Sequence, residues 1–173
     1  MRRAMDDALP SSIDVLIVGA GIAGASLAAS LAPHRAVLMI EAEDTPGYHA
    51  TGRSAAFWHE TYGGPLVQPL STASFSLLLA PSADFSERSF LSPRAALNLG
   101  RRNEAGTVDA FTAEFAARGL DIQRVSGSDV ERIVPGIRPE WSEAAYEGAC
   151  SDIDVGALHA AYLRAARRGK LQA

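Results

Sequence analysis

The segment Gly19-Ala-Gly21-Ile-Ala-Gly24 restricts the fold of this chain more than any other, because of what flanks it. Before it stands a short, nearly continuous apolar run, Asp14-Val-Leu-Ile-Val-Gly19, the pattern of a strand buried on both faces in a parallel sheet. After it, Ala25 to Leu31 is rich in Ala and Leu and predicts a helix, which Pro33 stops. A second apolar run, Ala36-Val-Leu-Met-Ile-Glu41, ends in an acid. Strand, glycine turn, helix and strand make one βαβ unit over 14–41, with a right-handed crossover.

Each glycine of the turn has a physical reason. Gly19 permits the tight turn off the strand, Gly21 removes a Cβ that would block a diphosphate, and Gly24 lets helix and strand pack closely. The N-terminus of the helix that follows presents unpaired N–H groups and a partial positive charge, which suit an anion. Glu41, twenty positions beyond Gly21, is placed to accept hydrogen bonds from ribose hydroxyls, with Ala42 beside it. Its carboxylate would repel a ribose 2′-phosphate, so NADP is disfavoured. NAD and FAD share this opening, and the turn does not choose between them.

Composition narrows the remaining classes. Sixteen Lys and Arg against twenty Asp and Glu give a formal charge of −4, which argues against a nucleic-acid binder. One cysteine, Cys150, allows neither an internal disulfide nor a zinc site of cysteines alone, and it is expected to be buried and inert. No apolar run approaches the roughly 20 residues that span a bilayer. The N-terminal basic pair is followed by no apolar stretch, so a cytoplasmic protein is expected. No metal site is expected: His34 and His159 lack ligand spacing, and His159 is expected to pack within a helix. His49 and His59 are weak acid–base candidates.

Past Glu41, Pro and Gly punctuate residues 43–65, which predicts a long loop of the kind that often carries function. Helices are expected over Leu66–Leu79, Glu104–Arg118 and Ser128–Val134, and strands over Arg94–Leu99, Asp121–Val125 and Ala144–Ala149. Val108, Phe111 and Phe115 should share one helix face. The segment from Ser151 to Gly169 reads as a helix with Asp154 as N-cap and Leu158, Ala161, Tyr162 and Ala165 as its apolar stripe. A strand should come next, yet only four residues follow Gly169, so the fold is expected to be cut off and a sheet edge uncovered.

Within the long loop, Pro46-Gly-Tyr-His-Ala-Thr-Gly-Arg-Ser-Ala-Ala-Phe57 is dense in small residues that let backbone approach a planar ligand. Taken with Gly19–Ser26 and Glu41, this run resembles the N-terminal part of FAD-dependent D-amino-acid oxidases and dehydrogenases, D-arginine dehydrogenases most of all. Leu91-Ser-Pro-Arg94 and Asp152-Ile-Asp with Leu158 and Tyr162-Leu-Arg-Ala continue the likeness.

The resemblance implies an α/β fold: a Rossmann-like FAD-binding domain joined to the beginning of an α+β substrate domain. It implies FAD held by Gly19, Gly21, Ile22, Ala23, Gly24, Glu41 and Ala42, with Ala50, Thr51, Gly52, Arg53, Ser54, Ala55, Ala56 and Phe57 beneath the flavin. It also implies oxidation of a carbon–nitrogen bond of an amino acid or amine by hydride transfer to flavin, with Tyr62 on the substrate side. Two positions depart from the D-arginine dehydrogenase pattern: Phe57 replaces a histidine, and Ala96 replaces an acid suited to a guanidinium. The expected layout is a leader at 1–12, an FAD-binding segment at 13–79, a partial substrate domain at 80–143 and a return to the FAD-binding domain at 144–173. Such a chain is expected not to turn over alone and to need another chain to complete it. The alternatives are a non-catalytic dinucleotide-binding module and an NAD-dependent dehydrogenase.

Overall fold

Short apolar runs alternating with helical segments can bury their apolar faces only in layers. The computed structural model, which describes residues 12–169 and 171–172, forms such layers in two units. The first takes the described residues through Ala55, Ser82–Glu87 and those from Val155 onward; the second takes Ala56–Pro81 and Arg88–Asp154.

In the first unit, β1 (Val15–Val18), α1 (Ile22–Leu31) and β2 (Val37–Ile40) form the expected βαβ element. β1 and β2 pair in parallel, from Val15 opposite Val37 to Val18 opposite Ile40. A last helix, α5 (Val155–Arg168), leads to a two-residue strand, β9 (Leu171–Gln172), which pairs in parallel with β2 to give the order β1-β2-β9. The expectation that no strand follows the last helix is therefore wrong. Two residues suffice to begin one, because β2 presents an edge to pair with.

The helices of this unit meet through small side chains. Ala28, Ala32 and Ala166 are fully buried, in a core with Ile17, Val37 and Met39. A Cβ on Gly169 would stand 2.6 Å from the Ala32 carbonyl carbon, so the α5 terminus packs against α1 only as glycine. The stripe of α5 differs from expectation: Leu158, His159, Ala161 and Ala166 are buried, whereas Tyr162 and Ala165 are only partly covered. The sheet also differs. Ile17 is buried, but Leu16 is 51% exposed and Val18 77%, because the helical core gathers on one face and no described residue covers the other.

The second unit holds β3 (Phe57–Trp58), α2 (Gln68–Leu79), β4 (Leu91–Pro93), β5 (Ala96–Gly100), α3 (Ala105–Ala116), β6 (Ile122–Ser126), α4 (Ser128–Ile133), β7 (Glu143–Glu147) and β8 (Ser151–Ile153). Two antiparallel sheets result, ordered β3-β8-β4 and β5-β7-β6. Val108, Phe115, Ile122 and Ala145 form a core beneath α3, and Phe111 packs against it. Two elements lie where sequence reading put something else. Phe57–Trp58, read as loop, is a strand, and Ser151–Ile153, read as helix, is its antiparallel partner. Each is too short for periodicity, and each is defined by the other across more than ninety residues. The contacts also group residues 56–79 with the second unit, whereas the expected layout joined them to the FAD-binding segment. Among the described residues no helix is long and apolar enough to cross a membrane.

Candidate functional site

The turn between β1 and α1 is held open by contacts that leave its donors facing outward. Gly19 adopts φ 96°, and a Cβ on Gly24 would fall 2.0 Å from the Gly19 carbonyl oxygen. Helix and turn therefore meet at a distance only glycine allows. Gly21 is the N-cap of α1 and brings no side chain to its free N–H groups. Thr51 supplies one from 29 residues away: its Oγ1 accepts a hydrogen bond from Ile22 N–H at 2.9 Å. The same hydroxyl would lie 3.1 Å from a Cβ on Gly21. The N–H groups of Gly21, Ala23 and Gly24 have no acceptor among the described residues. They form the donor set that a diphosphate needs.

Glu41 reaches this turn from the end of β2. Its Oε2 accepts from Ala20 N–H at 2.8 Å, and its Oε1 accepts from the N–H groups of Ala42 (2.7 Å) and Glu43 (3.1 Å). The Ala20 bond, followed by those of Glu43 and Ala42, holds the carboxyl below its ordinary pKa. It is thus an anion fixed over the turn, with about one of its four or so lone-pair positions left for a hydroxyl donor.

The loop that carries Thr51 is folded back on itself, with Gly52 N–H donating to Gly47 O at 2.7 Å. Gly47 has φ 79°, and a Cβ there would come within 2.9 Å of His159 Cε1. Arg53 lies over the Tyr48 ring, 5.1 Å from its centroid. Ala50, Ser54 and Ala55 are exposed. Thr51 is thus brought to the turn with Gly19–Gly24 and Glu41, while Arg53 stacks within its own loop.

Ala56 and Phe57 begin the second unit. Ala56 O accepts from Ile153 N–H, and Phe57 sits in β3 opposite Asp152. Behind them lies a polar cluster that sequence reading missed. Glu147 of β7 is 1% exposed. Its Oε1 accepts from Glu60 N–H at 2.8 Å, and its Oε2 stands 3.0 Å from His59 Nε2. His59 Nε2 also lies 3.0 Å from Thr61 Oγ1. Burial, the largest single influence on Glu147, pushes its pKa up, but His59, the Glu60 N–H and Thr61 together outweigh it and hold the carboxyl below its ordinary value. The only signal for this cluster was a histidine in a loop, because its acid lies 88 positions away. The His59 ring rests against Phe57, with centroids 5.8 Å apart.

Other candidates fall elsewhere. Tyr62 is 75% exposed. Ala96, in β5, pairs across the sheet with Glu147. His49 pairs with Glu43 at 2.7 Å on the surface. Cys150 is buried, and desolvation raises its thiol pKa. Among the described residues no group of three or more His, Cys, Asp or Glu could hold a metal ion.

Residues 14–172 match the DAO family, described as FAD dependent oxidoreductase. Glycine oxidase from Geobacillus kaustophilus has a similar fold, with TM-score 0.76 and 22% identity over 92% of this chain and 45% of its own. L-alpha-glycerophosphate oxidase from Mycoplasma pneumoniae, solved with FAD bound, gives TM-score 0.77 and 20% identity over 94% of this chain and 44% of its own. L-proline dehydrogenase from P. horikoshii gives 0.76 and 19% over 95% and 44%. The chain spans less than half the length of each of these structures.

Proposed function

The chain belongs to the DAO family of FAD-dependent oxidoreductases, with FAD as its cofactor, and from that premise we propose that it is the cofactor-binding part of an enzyme that oxidises a carbon–nitrogen bond of an amino acid or amine. The observation that carries the reading is the β1–α1 turn: three N–H groups without an acceptor among the described residues, with an anionic Glu41 fixed above them. Those residues fit the group. Gly21, Ala23 and Gly24 would donate to the diphosphate, and the Thr51 hydroxyl, which accepts from Ile22, keeps its own proton for a phosphate oxygen. Glu41 would accept from a ribose hydroxyl. The chain holds no lysine or arginine in this turn, so backbone donors and the helix dipole carry the anion.

Bound flavin supplies a two-electron acceptor for a substrate hydride. The protein's task is orientation and exclusion of water. We assign Ala50 and Gly52–Phe57, most of them with small side chains, to the backbone lining beneath the ring system, and Tyr62 to the substrate side. An amino-acid substrate is in keeping with glycine oxidase and L-proline dehydrogenase standing among the similar folds. D-Arginine itself is disfavoured within the class. Ala96 offers a methyl group where a guanidinium needs a carboxylate, and the nearby Glu147 is committed to His59. We place the enzyme in the cytoplasm, and completion of the substrate side by further polypeptide is part of the same proposal.

The test is spectroscopic. The purified protein should carry a flavin band near about 450 nm, and Glu41→Ala should reduce the bound flavin severalfold. Once further polypeptide completes the substrate side, reduction of that band by added amino acids under anaerobic conditions identifies the substrate. Absence of flavin with tight NADH binding would overturn the reading. Retained flavin that no amine reduces would leave a binding module.

A further inference from the structure

His159 lies on α5, is 8% exposed, and directs Nε2 at the Ala20 carbonyl oxygen, 2.7 Å away. A carbonyl only accepts, so Nε2 carries the proton. Ala20 is itself in the middle of the glycine turn and 2% exposed. It is gripped at both polar groups: Glu41 takes its N–H, and His159 gives a proton to its oxygen.

The consequence follows from peptide geometry. The Ala20–Gly21 bond is trans, so the Ala20 C=O and the Gly21 N–H point in opposite directions within one plane. Fixing the oxygen toward α5 fixes the Gly21 N–H away from it, where it has no acceptor among the described residues. A rotated peptide would turn this donor inward and aim an oxygen at an incoming anion. We propose that His159 is a positioning residue for diphosphate binding, orienting the Ala20–Gly21 peptide so that the Gly21 N–H faces the phosphate.

The inference rests on the FAD reading above, which it extends to a residue outside the motif. Plain packing does not account for the site. A leucine would fill the same space but leave a buried carbonyl without a donor, a costly arrangement. The surroundings also make room for the ring: Gly47, where a Cβ would crowd Cε1 at 2.9 Å, leaves space beside it.

Glutamine and methionine have similar length and flexibility, but only glutamine can donate from the position of Nε2. Flavin-free wild-type protein, His159→Gln and His159→Met are therefore titrated with FAD by flavin fluorescence, and their thermal unfolding is recorded without ligand. His159→Met should bind FAD about tenfold more weakly, and His159→Gln should stay within about threefold of wild type. The ligand-free unfolding temperature should fall further in His159→Met, which leaves the Ala20 carbonyl without a donor, than in His159→Gln. Equal affinity in all three overturns the proposal, as does equal weakening of Gln and Met, which would mark a packing role. Wild-type protein that binds no FAD overturns the cofactor reading and this inference with it; normal wild-type binding with unaffected variants overturns the inference alone. A measurement without variants guards against misfolding. The His159 ring N–H, buried and bonded, should give a slowly exchanging proton resonance that shifts on addition of ADP, and an unmoved resonance counts against the proposal.

Discussion

A single methyl group separates the working turn from a broken one. At Gly24 a Cβ would lie 2.0 Å from a backbone oxygen, and backbone cannot swing aside as a side chain can. Gly24→Ala should therefore cost about 1–3 kcal/mol or more through overpacking, read as a fall in the urea midpoint at unchanged slope. An unaltered midpoint would mean that the strand and helix are looser than described. Glu147 makes a prediction of a different kind. Its folded pKa lies below its ordinary value, so its stabilising contribution is complete above the ordinary carboxylate range and is lost as pH falls through the depressed folded value. Unfolding curves from neutral to acid pH should show that loss in the wild type. In Glu147→Gln the acid-side slope should be flatter, and stability at neutral pH should be lower by on the order of 1–3 kcal/mol. Parallel pH profiles would show that the carboxylate is not the titrating group.

Helix α1 shows how an element can depend on a residue far along the chain. A cap normally comes from the residue that starts the helix, but Gly21 has no side chain, and the Thr51 hydroxyl does the work instead. Thr51→Val keeps the shape and deletes the acceptor. It should destabilise the protein by about 1 kcal/mol, a few degrees in melting temperature, and should weaken FAD binding as well. A loss of stability without loss of affinity would restrict Thr51 to capping. The strands of the second unit make the complementary point. β3 has two residues and β8 three, lengths at which side-chain alternation carries no information, and only their pairing identifies them. The helices behaved otherwise: α2 and α3 fall close to the spans their periodicity predicted, because twelve residues of 3.6-fold pattern are hard to mistake, and the six-residue α4 ends where Pro135 is expected to stop it.

At the scale of the whole molecule, the first unit is assembled from distant parts of the chain. β1, α1 and β2 come from its first quarter, whereas the helix that covers α1 begins at Val155. Ala28 and Ala32 are buried in the core that Ala166 completes, and Ala20 is held by His159. A chain ending at Asp154 should therefore lose cooperative unfolding of this unit and retain no flavin, although every residue of the glycine turn is still present. Circular dichroism and flavin fluorescence test this directly, and full flavin retention would show that α5 is dispensable. Such long-range closure also predicts slow folding relative to a helical bundle of equal size.

The sequence alone determined the βαβ element, its glycine turn and the acid that answers it, because a close backbone approach, an apolar strand and a carboxylate are requirements of residue type at fixed spacing. It also made the family legible through the 46–57 run. Only the tertiary structure decided that Thr51 caps α1, that His159 grips Ala20, and that Glu147 and His59 meet, since these contacts join residues 29, 139 and 88 positions apart. It likewise decided that Leu16 and Val18 stay uncovered and that a strand follows the last helix. Local pattern encodes what a residue's neighbours in the chain demand; burial and hydrogen-bond partnership across the fold depend on which elements come to lie together.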